Sequence, residues 1–300
     1  MGIRLFEEPE LRKPDMILGW PGIGNIGIIA VDTLRGQVQA REFGEIESWD
    51  FFYPKGLKVK AGLLEELEFP GNKFYYQRLK GKDLIFFIGE EQPTAPGRTY
   101  AEGRKAYQMA NLVLDVAGRF GCQRVYTSGA AVALTHHTLK PGVWTVASRE
   151  GLIEEMKGYS NTVLMSEIEG RGNQGSISGL NGLLPGLAKK RGFDAICLMG
   201  EIPDYLSQSP LPYPRAAKAV VEVLAGILGI GVDFTPFDTM ATQIDTVIDS
   251  LYEKFPPEIK ERIEQRKSAI QAKVETITEE DETWIKEHID EFFKKKSGNE

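Results

Sequence analysis

Residues 175–205, GSISGLNGLLPGLAKKRGFDAICLMGEIPDY, read as a glycine-dense helix start, a helix, an apolar strand and then an acidic loop. Residues 15–27, DMILGWPGIGNIG, run in the opposite order, with a strand, a glycine loop and a helix. Further strand-length apolar runs fall at Leu84–Ile88, Arg124–Thr127, Val143–Ala147 and Val163–Ser166, alongside Met16–Trp20 and Ala195–Met199. Several are unbroken rather than alternating, as strands covered on both faces must be. Helical patterns lie between them, near Ile23–Leu34, Thr99–Phe120, Ser178–Lys190 and Arg215–Leu228. This alternation predicts an α/β fold, a three-layer sandwich whose mostly parallel, mixed sheet carries helices on both faces. Between Arg41 and Leu79 the pattern is more strand-like, so an antiparallel piece is expected there.

The pattern changes after about Asp233. From Pro256 the chain is strongly charged, with Ile259, Ile263, Ile270, Val274 and Ile277 at near-helical spacing. Thr278-Glu279-Glu280-Asp281 reads as a second helix start, followed by a stripe of Trp284, Ile285, Ile289, Phe292 and Phe293. We therefore divide the chain into an α/β domain, 1–235, and a C-terminal amphipathic helical extension, 236–300. Such helices either pack back on the main domain or hold another subunit.

Hydrophobic residues at 42 % and charged residues at 26 % are those of a soluble globular protein. A net charge of −7 speaks against nucleic acid, whose phosphates call for a basic footprint. No window approaches the ~18 apolar residues of a membrane span. The N-terminus, MGIRLFEEPELRKPD, lacks the apolar core of a signal peptide. The two cysteines, Cys122 and Cys197, sit at or beside strands and read as free thiols. Together these point to the cytoplasm.

Gly22-Ile23-Gly24-Asn25-Ile26-Gly27 fits G-x-G-x-x-G after a strand and before a helix, where backbone N–H groups can hold a pyrophosphate. Pro21 and the missing phosphate-binding side chains favour a tight turn whose glycines permit close packing. The strand-end loops say more, because ligands of open parallel sheets bind beyond the carboxyl ends of the strands. Trp20–Asn25, Glu90–Gln92, Ser128–Gly129 and Glu201–Tyr205 qualify, and neighbouring strands would gather Asn25, Glu90, Glu91, Ser128 and Glu201 at one edge. Carboxylates sharing such a cleft would shift one another's pKa. The candidate loop residues are Trp20, Gly22, Gly24, Asn25, Gly27, Glu90, Ser128, Gly129, Ser178, Gly179, Glu201 and Tyr205. Ser176 and Ser178 read as caps of the helix that runs to Lys190. His136 and His137 are adjacent, so their side chains should diverge and make a poor metal pair. Gly175–Gly179 is not G-x-S-x-G, and no Walker A or H-E-x-x-H sequence occurs. No catalytic set, metal site or cofactor follows from these residues.

Gly19–Gly27 (GWPGIGNIG), Thr127–Ala131 (TSGAA) and Gly175–Asp204 with Pro214–Leu224 (PRAAKAVVEVL) resemble the proteasome assembly chaperone family, type two, in its archaeal and bacterial branch. The likeness covers about residues 14–232. It implies a phosphorylase/hydrolase-like three-layer sandwich. It also implies a non-catalytic, homo-oligomeric scaffold for protein partners, in particular proteasome α-subunits. Relatives that dock by a C-terminal hydrophobic–tyrosine motif differ from this chain's Lys294–Glu300, so any such contact would use another surface. The competing class is a small-molecule binder, or a hydrolase- or phosphorylase-like enzyme, using the strand-end loops.

Overall fold

Five consecutive buried residues, Asp15–Gly19, form strand β2 at the middle of a nine-stranded sheet. The computed structural model describes residues 2–94, 103–165 and 175–275. β2 lies between β7 (Lys82–Gly89) and β8 (Arg124–Ala133), and β8 lies beside β11 (Asp194–Pro203). These four strands are parallel. Antiparallel strands flank one side: β6 (Asn72–Leu79), β3 (Arg41–Ile46) and β1 (Ile3–Leu5). On the other side β9 (Val143–Ala147) runs antiparallel to β11 and parallel to β10 (Thr162–Leu164). The antiparallel piece expected between Arg41 and Leu79 is thus found in the β3–β6 pair. Ser166, the expected end of the last of these strands, lies outside the described residues.

The period of two sorts the core. Ile17, Phe86, Ile196 and Leu198 pack toward α1 (Ile26–Gln37), α3 (Glu150–Lys157) and α5 (Pro214–Leu228). Met16, Leu18, Ile85 and Phe87 pack toward α2 (Gly103–Arg119) and α4 (Leu180–Lys190). Both faces of the parallel centre are therefore covered, the three-layer arrangement expected from unbroken apolar runs. α5 is apolar nearly all round because it is roofed as well. α6 (Thr235–Tyr252) lays Phe237, Ile244 and Ile248 against the same core. α5 begins on Pro214 and ends on Gly229 at φ +65°, the arrangement these two residues favour. α7 (Pro257–Glu275) follows and buries Ile263, while Ile259 stays exposed. The helix expected from Thr278 onward falls outside the described residues, as do residues 95–102.

Two strands run farther than their apolar stretches. β8 and β11 remain paired past Thr127 and Met199, through Glu201↔Ala131 to Pro203↔Ala133. Residues 128–131 are Ser-Gly-Ala-Ala, small side chains that carry no strand pattern of their own, and the neighbouring strand's hydrogen bonds hold them extended. Ser128, Gly129 and Glu201 accordingly lie within strands rather than in loops. One further element stands apart. Among the described residues β4 (Gly56–Lys60) and β5 (Leu63–Glu68) pair only with each other, and β5 is exposed along its whole length.

Candidate functional site

β7, β2, β8 and β11 are adjacent and parallel, so their carboxyl ends do share one edge. β2 stops pairing with β8 at Leu18↔Thr127, while β8 continues with β11. A cavity of about 220 Å³ opens where they part. Trp20, Gly22 and Gly27 line it from the β2 side, Gly129 and Met199 from the floor, and Ser178 and Asn181 from the start of α4.

The glycines make this geometry possible by close packing. A Cβ on Gly27 would run into the Ser128 carbonyl, so α1 starts hard against β8, and the Ser128 hydroxyl donates to the Gly27 carbonyl at 3.3 Å. Gly24 sits at φ +60°, and a Cβ there would lie 3.0 Å from both Ile202 and Tyr213. Its carbonyl accepts the Tyr213 N–H at 2.7 Å. Asn25 is also left-handed, at φ +50°, and makes no side-chain cap for α1. The G-x-G-x-x-G stretch thus serves the packing of one turn, and Gly24 and Asn25 stand outside the cavity lining.

The start of α4 departs from expectation. Neither Ser176 nor Ser178 caps it; Gly179, at φ +73°, occupies the cap position without a side-chain bond. Gln92 supplies the acceptor instead, from the loop after β7, taking the Leu180 N–H at 3.1 Å. Its amide also donates to the Pro21 carbonyl at 2.6 Å, so one side chain ties three strand-end segments together. This remote cap was not readable from local spacing, since residues 92 and 180 meet only through the sheet. Asn181 Oδ1 is buried and has no hydrogen-bond partner among the described residues, although its residue lines the cavity. An orphaned acceptor of this kind suits a ligand with an N–H or O–H donor.

The expected carboxylates do not converge. Glu90 points to Lys55 at 3.1 Å and is held below the usual carboxylate range, first by the Gly71 backbone N–H. Glu91 shares the same lysine at 3.5 Å. Glu201 accepts from the Trp144 indole at 2.7 Å and from the Gly142 N–H at 2.9 Å. Each acid is paired within the chain, and neither Glu90 nor Glu201 lines the cavity. The thiols are unsuited to nucleophilic work: both are free and buried, and burial pushes Cys122 up to about 12 and Cys197 up to about 11.

Tyr205 belongs to a different cluster, beneath the C-terminal helices. His136 and His137 do not diverge; their rings stack at 4.2 Å, both buried. The Tyr205 hydroxyl accepts the His137 N–H at 3.0 Å and donates to its Nδ1 at 2.7 Å. That leaves Nε2–H to donate to Asp249 of α6 at 3.2 Å. His136 Nδ1 accepts the Thr138 N–H at 3.1 Å. Its Nε2 lies 3.3 Å from Glu264 of α7, too poorly aligned for a hydrogen bond. Both rings are thereby neutral, and burial is the first cause holding His136 at about 4 and His137 below its ordinary value. Tyr252 and Phe255 complete an aromatic wall, and Arg266 of α7 reaches Asp204 at 3.0 Å. The chemistry here is adhesive: the cluster seats α6 and α7 on the strand-end edge.

The comparisons with known proteins agree with this fold. The family model described as "PAC2 family" matches residues 16–252. An uncharacterized protein of Methanocaldococcus jannaschii is 29 % identical over 251 residues, 83 % of this chain and 86 % of that one. Pyrococcus furiosus PbaB, described as an archaeal proteasome activator, is 30 % identical in structural superposition, with a TM-score of 0.69 over 83 % of this chain and 98 % of its own. PbaA of the same organism, described as an archaeal homolog of proteasome-assembly chaperone, shares the fold at 22 % identity and a TM-score of 0.60, over 88 % of this chain and 99 % of its own. With the family's model matched from β2 through the last residue of α6, this chain belongs to the PAC2 family.

Proposed function

We propose that this chain is a non-catalytic, homo-oligomeric scaffold of the proteasome-assembly kind, which works in the cytoplasm by binding protein partners, proteasome α-subunits among them. In this reading residues 236–300 are an arm appended to the 1–235 domain. The observation that carries it is the likeness to PbaB, which spans nearly all of that activator and most of this chain. The site geometry is consistent: the strand-end acids are each paired within the chain, and the C-terminal helices rest on that same edge.

Purified chain mixed with α-subunits of its own organism should co-elute with them in size-exclusion chromatography at fixed stoichiometry. Separate elution at micromolar concentrations of both would overturn the reading. The cavity supports a second reading, a small-molecule site, because Asn181 Oδ1 has no partner among the described residues. Native mass spectrometry of the chain isolated from its own cells should then show an added mass that Asn181→Leu removes.

A further inference from the structure

Among the described residues no charged side chain lines the cavity where β2 and β8 part. A phosphate or carboxylate would find no cation there and an ammonium no acid, so the space disfavours ions by desolvation. Its polar side chains are few, and most are committed. Gln92 uses both ends of its amide, on Leu180 and on Pro21. The Trp144 indole N–H is held by Glu201, and the Trp20 indole nitrogen lies against Gly89, which is not part of the wall. What remains is the Asn181 acceptor within and the Ser176 and Ser178 hydroxyls at the exposed rim. Asn181 lies over Gly129, where a Cβ would come within 2.5 Å of its Nδ2. The missing side chain leaves the amide room to turn its oxygen into the cavity.

The rest of the wall is apolar. Gly129 and Ala131 make a floor almost without side chains, bounded by the indoles of Trp20 and Trp144 and the thioethers of Met165 and Met199. Both indoles are fixed from behind. Trp20 packs on Phe87 with ring centroids 5.1 Å apart, and Trp144 is tied to Glu201 at 2.7 Å. Aromatic faces and polarizable sulfurs favour a flat aromatic guest over a branched aliphatic one. An apolar cavity of about 150 Å³ holds one benzene ring. The 220 Å³ here therefore takes one ring or a fused pair, and nothing longer.

We propose that this cavity binds a neutral, flat heteroaromatic molecule of at most two fused rings, oriented by an N–H donated to Asn181 Oδ1. Further polar substituents of the guest sit at the rim formed by Ser176 and Ser178. The donor satisfies the acceptor that the fold leaves unpaired, and the ring fills the space between the two indoles. The proposal names the ligand class for the small-molecule reading given above and rests on that reading.

The test is isothermal titration of the purified full-length chain, near neutral pH, with four small probes. Indole, a neutral fused ring with one N–H, should bind with a Kd below about 1 mM. Benzofuran has the same shape with oxygen in place of the N–H and should bind about tenfold more weakly. ε-Caprolactam keeps the N–H on a puckered ring and should also bind more weakly than indole. Benzoate is smaller than indole but charged, and should not bind. Asn181→Leu should bind indole and benzofuran alike, and Ala131→Phe, which fills the floor, should bind neither; circular dichroism checks that both variants fold. Equal affinity of wild type for indole and benzofuran overturns the role of Asn181. Caprolactam binding as tightly as indole overturns the flat ring, and benzoate binding overturns neutrality. Indole binding that survives Ala131→Phe places the guest elsewhere and overturns the site. If none of the probes binds, yet the chain from its own cells carries an added mass that Asn181→Leu removes, the ligand class falls and the small-molecule reading stands. With neither probe binding nor added mass, both fall.

Discussion

β2 and β5 are strands of five and six residues, one buried at every position and the other exposed at every position. β2 has neighbours on both edges and helices over both faces, so each apolar residue finds its partner within the chain. Among the described residues β5 has one neighbour and no cover, so its leucines stand exposed. The same residue type therefore fills the core in one place and stands exposed in the other.

The sharpest way to break this comparison is to truncate an apolar residue in each region. Phe86→Ala on β7 removes a fully buried ring and should cost about 3–5 kcal/mol in urea unfolding. Leu64→Ala, measured where the chain is dilute enough to stay monomeric, should shift stability by less than about 0.5 kcal/mol. A hairpin variant as costly as the core variant would mean that the ribbon packs against its own domain.

The two regions also differ in how far the sequence could be read. The parallel centre was legible because burial on both faces leaves an unbroken apolar run, as in Met16–Trp20 and Ala195–Met199. The extension of β8 through Ser128-Gly129-Ala130-Ala131 was not, since small residues become strand only by pairing with β11. Of the expected site residues, Trp20, Gly22, Gly27, Gly129 and Ser178 do meet at one cavity. The acids were placed on the right edge, but their partners, Lys55 and Trp144, are 35 and 57 residues away in sequence. Local spacing carries no sign of pairs so distant. The stacked histidines were misread for a related reason: adjacency predicts divergence on a regular element, and residues 136–137 lie in a turn.

That histidine pair lies between the two extremes, since it is buried like β2 yet polar. Both rings are neutral in the fold and titrate below the ordinary value near 6.5, first because burial disfavours their charged form. The unfolded chain therefore binds more protons than the folded one between about pH 6.5 and 4, and stability falls as pH falls through that window. The loss should be of the order of 2 kcal/mol. Glu264, held low first by the Tyr252 hydroxyl, works in the same direction in its own, more acidic range, below about 4.5. Melting curves from pH 7.5 to 4.5 should show the decline in wild type, and His136→Asn with His137→Asn should flatten it. Equal slopes in the two proteins would show that the seat beneath α6 and α7 does not depend on neutral rings.

A stabilising effect is expected at a glycine, a residue that marks close packing at some positions of this fold and nothing at others. At Gly200 a Cβ would come within 2.7 Å of the Ala216 carbonyl, so β11 and α5 are pressed together there and the residue is fixed by contact. Gly186 lies inside α4, where a Cβ would meet no atom within 4 Å. Its only consequence is then the backbone freedom that it keeps in the unfolded chain and loses in the helix. Gly186→Ala should raise stability by about 0.5–1 kcal/mol, read as a higher urea midpoint at unchanged slope. A fall instead would mean that the outer face of α4 is covered rather than open to solvent.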